Sequence, residues 1–141
     1  MAARQVSREL LILGEDLSRP REVVERERLQ WAFFGFSLRN EGGLLIARGL
    51  FSTKFGNKYL ARIEAPERRY PYEIPDVWLP NVKLPLTCPH KFADGSLCVL
   101  KPAHWKTLYS FAFMAARTAV WLDKYDSWRR TGIWPGKEPH H

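Results

Sequence analysis

Four prolines between residues 80 and 104 constrain the fold of this chain more than any other feature of its sequence. The segment contains Pro80, Pro85, Pro89 and Pro102 and shows no sustained hydrophobic periodicity. Because proline lacks a backbone donor and fixes φ, it disrupts helix interiors and is excluded from central strands. We therefore predict a long ordered loop here, and loops of this length in compact domains commonly carry function.

The residues before this loop begin with a predicted helix. Apolar side chains recur at three- and four-residue spacing within residues 4–17, which favours an amphipathic helix that ends before Pro20. These side chains are Val6, Leu10, Leu13 and Leu17.

Strands are predicted downstream of this helix. They cover residues 31–39, 44–51, 58–64 and Val77–Leu79. Glu41-Gly42-Gly43 joins the first two as a hairpin, and Gly56-Asn57 precedes the third. Residues 23–36 can alternatively extend a helix, so the start of the first strand stays open. The pattern predicts an antiparallel meander.

A long amphipathic helix is predicted over residues 107–130, after the loop. Its apolar face is formed by Leu108, Phe111, Ala112, Ala115, Ala119, Leu122 and Tyr125. Thr107 is the expected N-terminal cap and Gly132 the expected C-terminal stop. The tail Trp134-Pro135-Gly136 is expected to pack back through its indole. The element order predicts one α+β domain over residues 1–141.

Composition excludes several classes of protein. Apolar residues make up 45% of the 141-residue chain and charged residues 26%, which excludes a disordered chain. The net charge of +7 is spread as 0 in residues 1–30, +4 in residues 31–69 and +3 in residues 70–141. Nucleic-acid-binding modules concentrate basic residues on one stripe, so nucleic acid is an unfavoured partner. Without a signal peptide or a membrane-length apolar run, we expect a cytoplasmic protein with no membrane partner.

Cys98 is the leading candidate for a reactive group within the loop. It lies in the block Asp94-Gly95-Ser96-Leu97-Cys98-Val99-Leu100, where Gly95 permits a tight turn and apolar neighbours can anchor the backbone. Such a block would hold a thiol rigidly at a surface groove. An arbitrary cysteine is more often a small buried hydrophobe, so context must decide. Cys98 and Cys88 are both expected to be free thiols in a reducing compartment.

Four motifs supply that context. They are Tyr70-Pro71 through Pro75, Cys88-Pro89-His90, Gly95-Ser96-Leu97-Cys98 and Trp105. In this order they resemble the YP-x-x-x-P segment, the HPN tripeptide, the G-x-I/L-C active site and the following tryptophan of the ubiquitin-conjugating enzymes. Pro89 and His90 precede Cys98 by nine and eight residues, as the family's proline and asparagine precede its cysteine.

Three further features are similar to the bacterial stand-alone members of this superfamily, which are encoded in CBASS antiphage operons. They are the DGSLC block, the helix ending Trp121–Trp128 and the tail Gly132-Ile133-Trp134-Pro135-Gly136. The likeness covers residues 44–136. It implies a UBC-like fold with an N-terminal helix, a β-meander, a long active-site loop and a long C-terminal helix.

The resemblance also implies a reaction. Cys98 would form a thioester with the C-terminal tail of a partner, a CD-NTase (a cyclic-oligonucleotide synthase) or a ubiquitin-like protein, and an amine would then accept the tail. A separate activating enzyme would use ATP upstream, and the protein itself would bind no cofactor.

The HPN tripeptide is where the chain departs from the family. Its histidine is replaced by Cys88, which is expected at the rim of the site, and its asparagine is replaced by His90. An imidazole can donate a hydrogen bond to a thioester oxyanion, so His90 is predicted to take over this role.

No acidic residue close downstream of Cys98 is an obvious base for the attacking amine. Asp94 or His104 is predicted to assist its deprotonation, although an exposed Asp beside a glycine is more often part of a turn. Lys101 and Lys106 most simply form a solvated rim, and they would also lower the pKa of Cys98.

Alternative interpretations use the same residues. A zinc site would need Cys88, His90, Cys98 and His104, but their spacing matches no recognised zinc motif, so no metal is predicted. A Cys–His hydrolase lacks an identifiable third residue. A catalytically inactive binding module of the same fold is the second interpretation, and a nucleic-acid-binding domain, motivated only by the basic excess, is the third. Trp105, Trp121 and Trp128 are expected to anchor the core and the loop.

Overall fold

The chain has an α+β fold in the computed structural model, which describes residues 7–136. Its elements are helix α1 (Arg21–Ala32), strands β1 (Ser37–Glu41), β2 (Leu44–Ser52), β3 (Lys58–Pro66) and β4 (Asp76–Trp78), and helix α2 (Phe111–Thr131). The four strands form one antiparallel sheet in the order β1-β2-β3-β4. The structure therefore confirms the α+β class and the meander.

The hairpin between β1 and β2 turns where the sequence predicts. Glu41 pairs with Leu44, and φ is +63° at Gly42 and +90° at Gly43. Two consecutive residues with positive φ give the turn whose twist matches antiparallel strands, and glycine adopts this conformation without steric cost.

The predicted start of the first strand is wrong. α1 continues through Ala32, and β1 begins only at Ser37. The alternative helix over residues 23–36 is closer to the structure. Val24 and Leu29 on α1 are buried against the core, and this packing fixes the helix where aromatic composition suggested a strand.

The predicted helix over residues 4–17 is wrong wherever the structure describes it, and residues 4–6 lie outside the described part. Two short 3-10 turns are found instead, Arg8–Leu10 and Gly14–Ser18. Between them the Ile12 amide donates to the carbonyl of Leu108 at 2.7 Å. An amide used in this way cannot close a helical turn, so the apolar spacing was overridden by a long-range contact.

Helix α2 packs across one face of the sheet to form the core. Its fully buried apolar side chains include Phe111, Ala112, Met114, Ala115 and Leu122. Alternate residues of β3, Ala61, Ile63 and Ala65, supply the facing wall, as the two-residue period of a strand requires. Neither helix of the described residues has the length and apolar character needed to cross a membrane.

Gly49 on β2 lets an aromatic ring approach the sheet closely. A Cβ atom at this position would overlap the ring of Phe36. That ring is 4.9 Å from the ring of Phe51 and 5.7 Å from that of Phe33, centroid to centroid. Gly49→Ala is therefore expected to disturb this cluster.

The ends of α2 differ from the prediction at one end only. Ser110, not Thr107, caps the helix: its hydroxyl oxygen accepts the Phe113 amide at 3.0 Å, and the helix begins at Phe111. Gly132 ends the helix with φ of +77°, and its amide donates to the carbonyl of Trp128. The predicted glycine stop is confirmed.

A buried carboxylate fixes the first turn of α2 to α1. Glu25 accepts the amide of Phe111 at 2.9 Å and the Nε group of Arg21 at 3.1 Å, and the hydroxyl of Tyr70 donates to the same carboxylate. Burial raises the pKa of Glu25, although each of these donors opposes the rise.

A second carboxylate fixes the last turns of α2 to the sheet. Asp126 accepts the hydroxyls of Thr53 and Tyr59, each at 2.5 Å, and the side-chain amide of Asn57 at 3.0 Å. These three donors lie at the β2–β3 turn or beside it. Both ends of the helix beside the loop are thus held by side-chain hydrogen bonds.

Candidate active site

The segment that carries Cys98 is fixed by backbone hydrogen bonds on both of its sides. The Leu97 amide donates to the carbonyl of Val77 in β4 at 2.8 Å, and the Cys98 amide donates to the carbonyl of His90 at 2.9 Å. The chain reverses between His90 and Leu97 at Gly95, where φ is +94°. The tight turn predicted at Gly95 is therefore present, and it sets Cys98 beside His90.

The thiol of Cys98 lies beneath the surface rather than on it. The residue is 7% exposed, and its Sγ atom is 3.8 Å from the carbonyl oxygen of Leu100. Leu97 and Val99 on either side are packed into the apolar core, whereas Cys98 is not part of that cluster. Its apolar neighbours therefore anchor the backbone, as the sequence predicts.

The electrostatics of Cys98 differ from the expectation. Burial raises the pKa of the thiol, while the charges of Lys101 and Arg117 lower it by a smaller amount. Lys101 lowers the pKa of Cys98 as predicted, but by less than burial raises it. Lys106 is not among the charges that shift this pKa. The resting group is the thiol, not the thiolate.

Cys88 is buried in the apolar core instead of lying at the rim of the site, so that expectation is wrong. It is 6% exposed and packs within the core cluster. Its thiol donates to the carbonyl of Pro89 at 3.4 Å, and burial raises its pKa. At the position where the family has a polar histidine, this chain therefore has a small side chain that packs as an apolar residue.

His90 has an unusual backbone conformation. Its φ of +55° is the left-handed region, which residues other than glycine seldom adopt. Its carbonyl accepts both the Cys98 amide and the indole Nε1 of Trp121, each at 2.9 Å. Its imidazole packs against Trp134, with ring centroids 4.9 Å apart. The backbone of His90 thus braces Cys98, and the catalytic role of the imidazole stays a prediction.

Asp94 participates in the turn before Cys98. One carboxylate oxygen accepts the Ser96 amide at 2.9 Å and the Ser96 hydroxyl at 2.7 Å. These hydrogen bonds lower the pKa of Asp94, which makes the carboxylate a weaker base. His104 is exposed and ends the 3-10 turn Pro102–His104. Within residues 7–136, neither side chain is hydrogen-bonded to Cys98.

Two grooves flank the segment that carries Cys98. One, of about 440 Å³, is lined by residues that include Asp76, Phe92, Asp94, Leu97 and Leu100. The other, of about 690 Å³, is lined by residues that include Leu100, His104, Trp105, Tyr109 and Arg117. Leu100, two residues after Cys98, belongs to both grooves. Cys98 itself lines neither groove and is buried, so the predicted placement of its thiol at a surface groove is not confirmed.

Two anchoring contacts hold the rest of the loop. The indole of Trp105 donates to the carbonyl of Pro71 at 2.8 Å, so this tryptophan anchors the loop as expected. The guanidinium of Arg117 donates through Nε to the carbonyl of Val99 at 2.9 Å. Sequence reasoning missed Arg117, because nothing in its local pattern distinguishes it from other basic residues of α2.

The zinc interpretation has no geometric support in the described part of the chain. Residues 7–136 contain no group of three or more His, Cys, Asp or Glu side chains arranged to hold a metal ion.

An α+β domain with a four-stranded meander, a long helix and a cysteine-bearing loop between them is compatible with the UBC-like fold. A family model described as Type II CBASS E2 protein matches residues 25–141. The chain therefore belongs to this family, whose E2 name implies the UBC-like superfamily. Comparison with curated proteins and with solved structures gives no match.

Membership of this family gives the chain an E2-like role associated with CBASS, and partners within the CBASS system.

Proposed function

We propose that this protein is a ubiquitin-conjugating-like transferase of the bacterial stand-alone branch, acting in antiphage defence in the cytoplasm with Cys98 as its nucleophile. The observation that carries the proposal is the setting of Cys98. Its neighbours Leu97 and Val99 are anchored in the core, its amide is bonded to His90, and its own side chain lies outside the core cluster.

The reaction has two steps in which Cys98 is first acceptor and then leaving group. The Cys98 thiol loses its proton and its sulfur attacks the carbonyl carbon of an activated C-terminal thioester. A new C–S bond forms, the donor C–S bond breaks, and the donor sulfur leaves and takes up a proton. An amine then attacks the same carbon, the C–N bond forms, the C–S bond breaks, and the amine loses a proton. The donor tail belongs to a CD-NTase, with a ubiquitin-like protein as the alternative cargo.

His90 is proposed to donate a hydrogen bond from its imidazole to the oxyanion that forms in each step. Asp94 and His104 are the proposed acceptors for the proton of the amine. The lowered pKa of Asp94 makes its carboxylate a weak proton acceptor. The chain needs no cofactor of its own in this scheme, because an upstream activating enzyme consumes the ATP.

A synthetic peptide thioester with the C-terminal sequence of the CD-NTase tests this function without an activating enzyme. We expect wild-type protein to form an adduct that dithiothreitol releases, visible by intact mass spectrometry and on non-reducing gels. Cys98→Ser should give no adduct that is sensitive to dithiothreitol, whereas Cys88→Ser should react as wild type does. A reductant-sensitive adduct that is lost in Cys88→Ser and kept in Cys98→Ser would overturn the assignment.

A catalytically inactive binding module is the second candidate function. The 7% exposure of Cys98 and its raised pKa favour this alternative, because a buried protonated thiol is a poor nucleophile. The same peptide separates the two functions. Binding of the peptide with no covalent adduct up to pH 9 supports the module, and an adduct at Cys98 excludes it.

A further inference from the structure

Trp134 lies where the chain leaves α2 and returns toward the loop that carries Cys98. Gly132 reverses the chain with its positive φ, and the Ile133 amide donates to the hydroxyl of Thr131 at 3.1 Å. The reversal leaves the side chain of Ile133 71% exposed, while that of Trp134 is partly buried against the core. The tail therefore presents one specific side chain to the site.

The indole of Trp134 packs against His90 and Trp121, and the Trp121 indole is hydrogen-bonded to the His90 carbonyl. Its ring is 4.9 Å from the imidazole of His90 and 5.3 Å from the indole of Trp121, which it meets edge-on. The space between these rings and their neighbours on α2 is only about 10 Å³, at the lower limit for one water molecule. The three rings are thus closely packed.

His90 is the residue through which this packing can reach Cys98. Its left-handed backbone is unfavourable for a residue with a Cβ atom and persists only when its surroundings hold it. In this conformation its carbonyl accepts the Cys98 amide and the Trp121 indole, each at 2.9 Å. Any relaxation of His90 would therefore displace the carbonyl that fixes the backbone of Cys98.

We propose that Trp134 is a positioning residue, which packs on the imidazole of His90 and thereby holds the His90 carbonyl in place for the Cys98 amide. Its effect on transfer rests on the proposed function, but its effect on the geometry of Cys98 does not. The tail after α2 is thus part of the apparatus that orients the thiol.

Alkylation of Cys98 by iodoacetamide measures this effect without cargo or an activating enzyme. All variants carry Cys88→Ser, so that Cys98 is the thiol that iodoacetamide alkylates. We expect Trp134→Ala to raise the alkylation rate under native conditions by about twofold or more, the low end of coupling between contacting residues. Trp134→Phe should restore most of the wild-type rate, because an aromatic ring still covers His90.

Two controls separate positioning from loss of stability. Ile133→Ala changes the neighbouring exposed side chain and should leave the rate unchanged. Gly49→Ala disturbs the Phe36 cluster, which is distant in sequence from Cys98. When each variant is assayed at the same interval below its own melting temperature, Gly49→Ala should leave the alkylation rate per folded molecule unchanged. If Gly49→Ala raises the rate as much as Trp134→Ala does, the effect is general destabilisation and the proposal fails.

A double-mutant cycle tests whether His90 transmits the effect. Glycine adopts positive φ freely, so in His90→Gly protein the added Trp134→Ala substitution should no longer change the alkylation rate. An undiminished effect in that background would overturn the role of His90. Slower discharge of the Cys98 thioester in Trp134→Ala is expected as well, and absence of any thioester would refute the proposed function while leaving the alkylation result valid.

Discussion

The two cysteines of this chain are almost equally buried, yet they lie in different surroundings. Cys88 is 6% exposed and Cys98 is 7% exposed, and burial raises the pKa of both thiols. Cys88 belongs to the apolar core cluster, whereas Cys98 lies outside it with its amide fixed to the carbonyl of His90. The two thiols therefore differ in whether they belong to the core cluster rather than in exposure, and this difference supports Cys98 as the proposed nucleophile.

The two thiols also face different cations. Lys91 and Arg129 lower the pKa of Cys88, and Lys101 and Arg117 lower that of Cys98. In each case desolvation outweighs the charges. The cationic surroundings are thus similar, and the difference between the cysteines comes from packing.

Exchanging each cysteine for alanine should give opposite results. Cys98→Ala is expected to abolish transfer and to lower the free energy of unfolding less than Cys88→Ala does, since the buried Cys98 side chain lies outside the apolar core cluster. Cys88→Ala should retain transfer and lower the free energy of unfolding by about 1 kcal/mol, because it leaves a small cavity in packed surroundings. Single-turnover assays and urea titrations measure the two effects. Equal stability losses in the two variants would contradict the difference in packing between the cysteines.

The proposed oxyanion role of the His90 imidazole predicts the next largest effect. His90→Ala should slow single-turnover discharge on the order of a hundredfold, the usual cost of losing an oxyanion donor, with partner affinity nearly unchanged. His90→Asn should recover part of the rate. A large loss of thermal stability with an unchanged rate per folded molecule would instead assign His90 to bracing alone.

The raised pKa values predict a steep dependence on pH. Both thiols have pKa values above the ordinary 9.0. Since the thiolate is the nucleophile, the alkylation rate of Cys98 in Cys88→Ser protein should rise about tenfold per pH unit between pH 7 and pH 9. A plateau below pH 8 would show a depressed pKa and would contradict the electrostatics of the buried thiol.

Removing single lysines should have the smallest effects. Each substitution should change the alkylation rate of one cysteine and not of the other. Lys101→Ala is expected to raise the pKa of Cys98 further and to slow its alkylation at pH 7 by about two- to threefold, as suits a solvent-screened charge. Lys91→Ala should do the same for Cys88 only. Peptide mapping of alkylated protein measures both sites in one experiment. Equal effects of one lysine on both thiols would contradict the assignment of Lys101 to Cys98 and Lys91 to Cys88.

Local sequence was sufficient for the elements whose signals are local. Gly42 and Gly43 carry a turn that few other residues can adopt, and Gly132 stops α2 for the same reason. The proline-rich segment has no α-helix or β-strand between β4 and α2. Within this segment the Gly95 turn and the buried Leu97 follow the predicted pattern.

Long-range contacts decided what local sequence could not. The apolar spacing at residues 4–17 was typical of a helix, but the Ile12 amide bonds to Leu108 far along the chain. Cys88 gave no signal of core packing, since a position in a motif does not report burial. The contact of Trp134 with His90 joins residues distant in the chain, so no spacing rule predicts its geometry.

The two carboxylates at the ends of α2 have a consequence for motion. Tilting or sliding this helix would break the bond from Phe111 to Glu25 at one end and three donors to Asp126 at the other. Buried groups left without partners in this way are costly, so we expect α2 to keep its position during the proposed reaction. Amide hydrogen exchange on cargo binding should therefore change in the Cys98 loop and in the tail, while the middle of α2 keeps its protection.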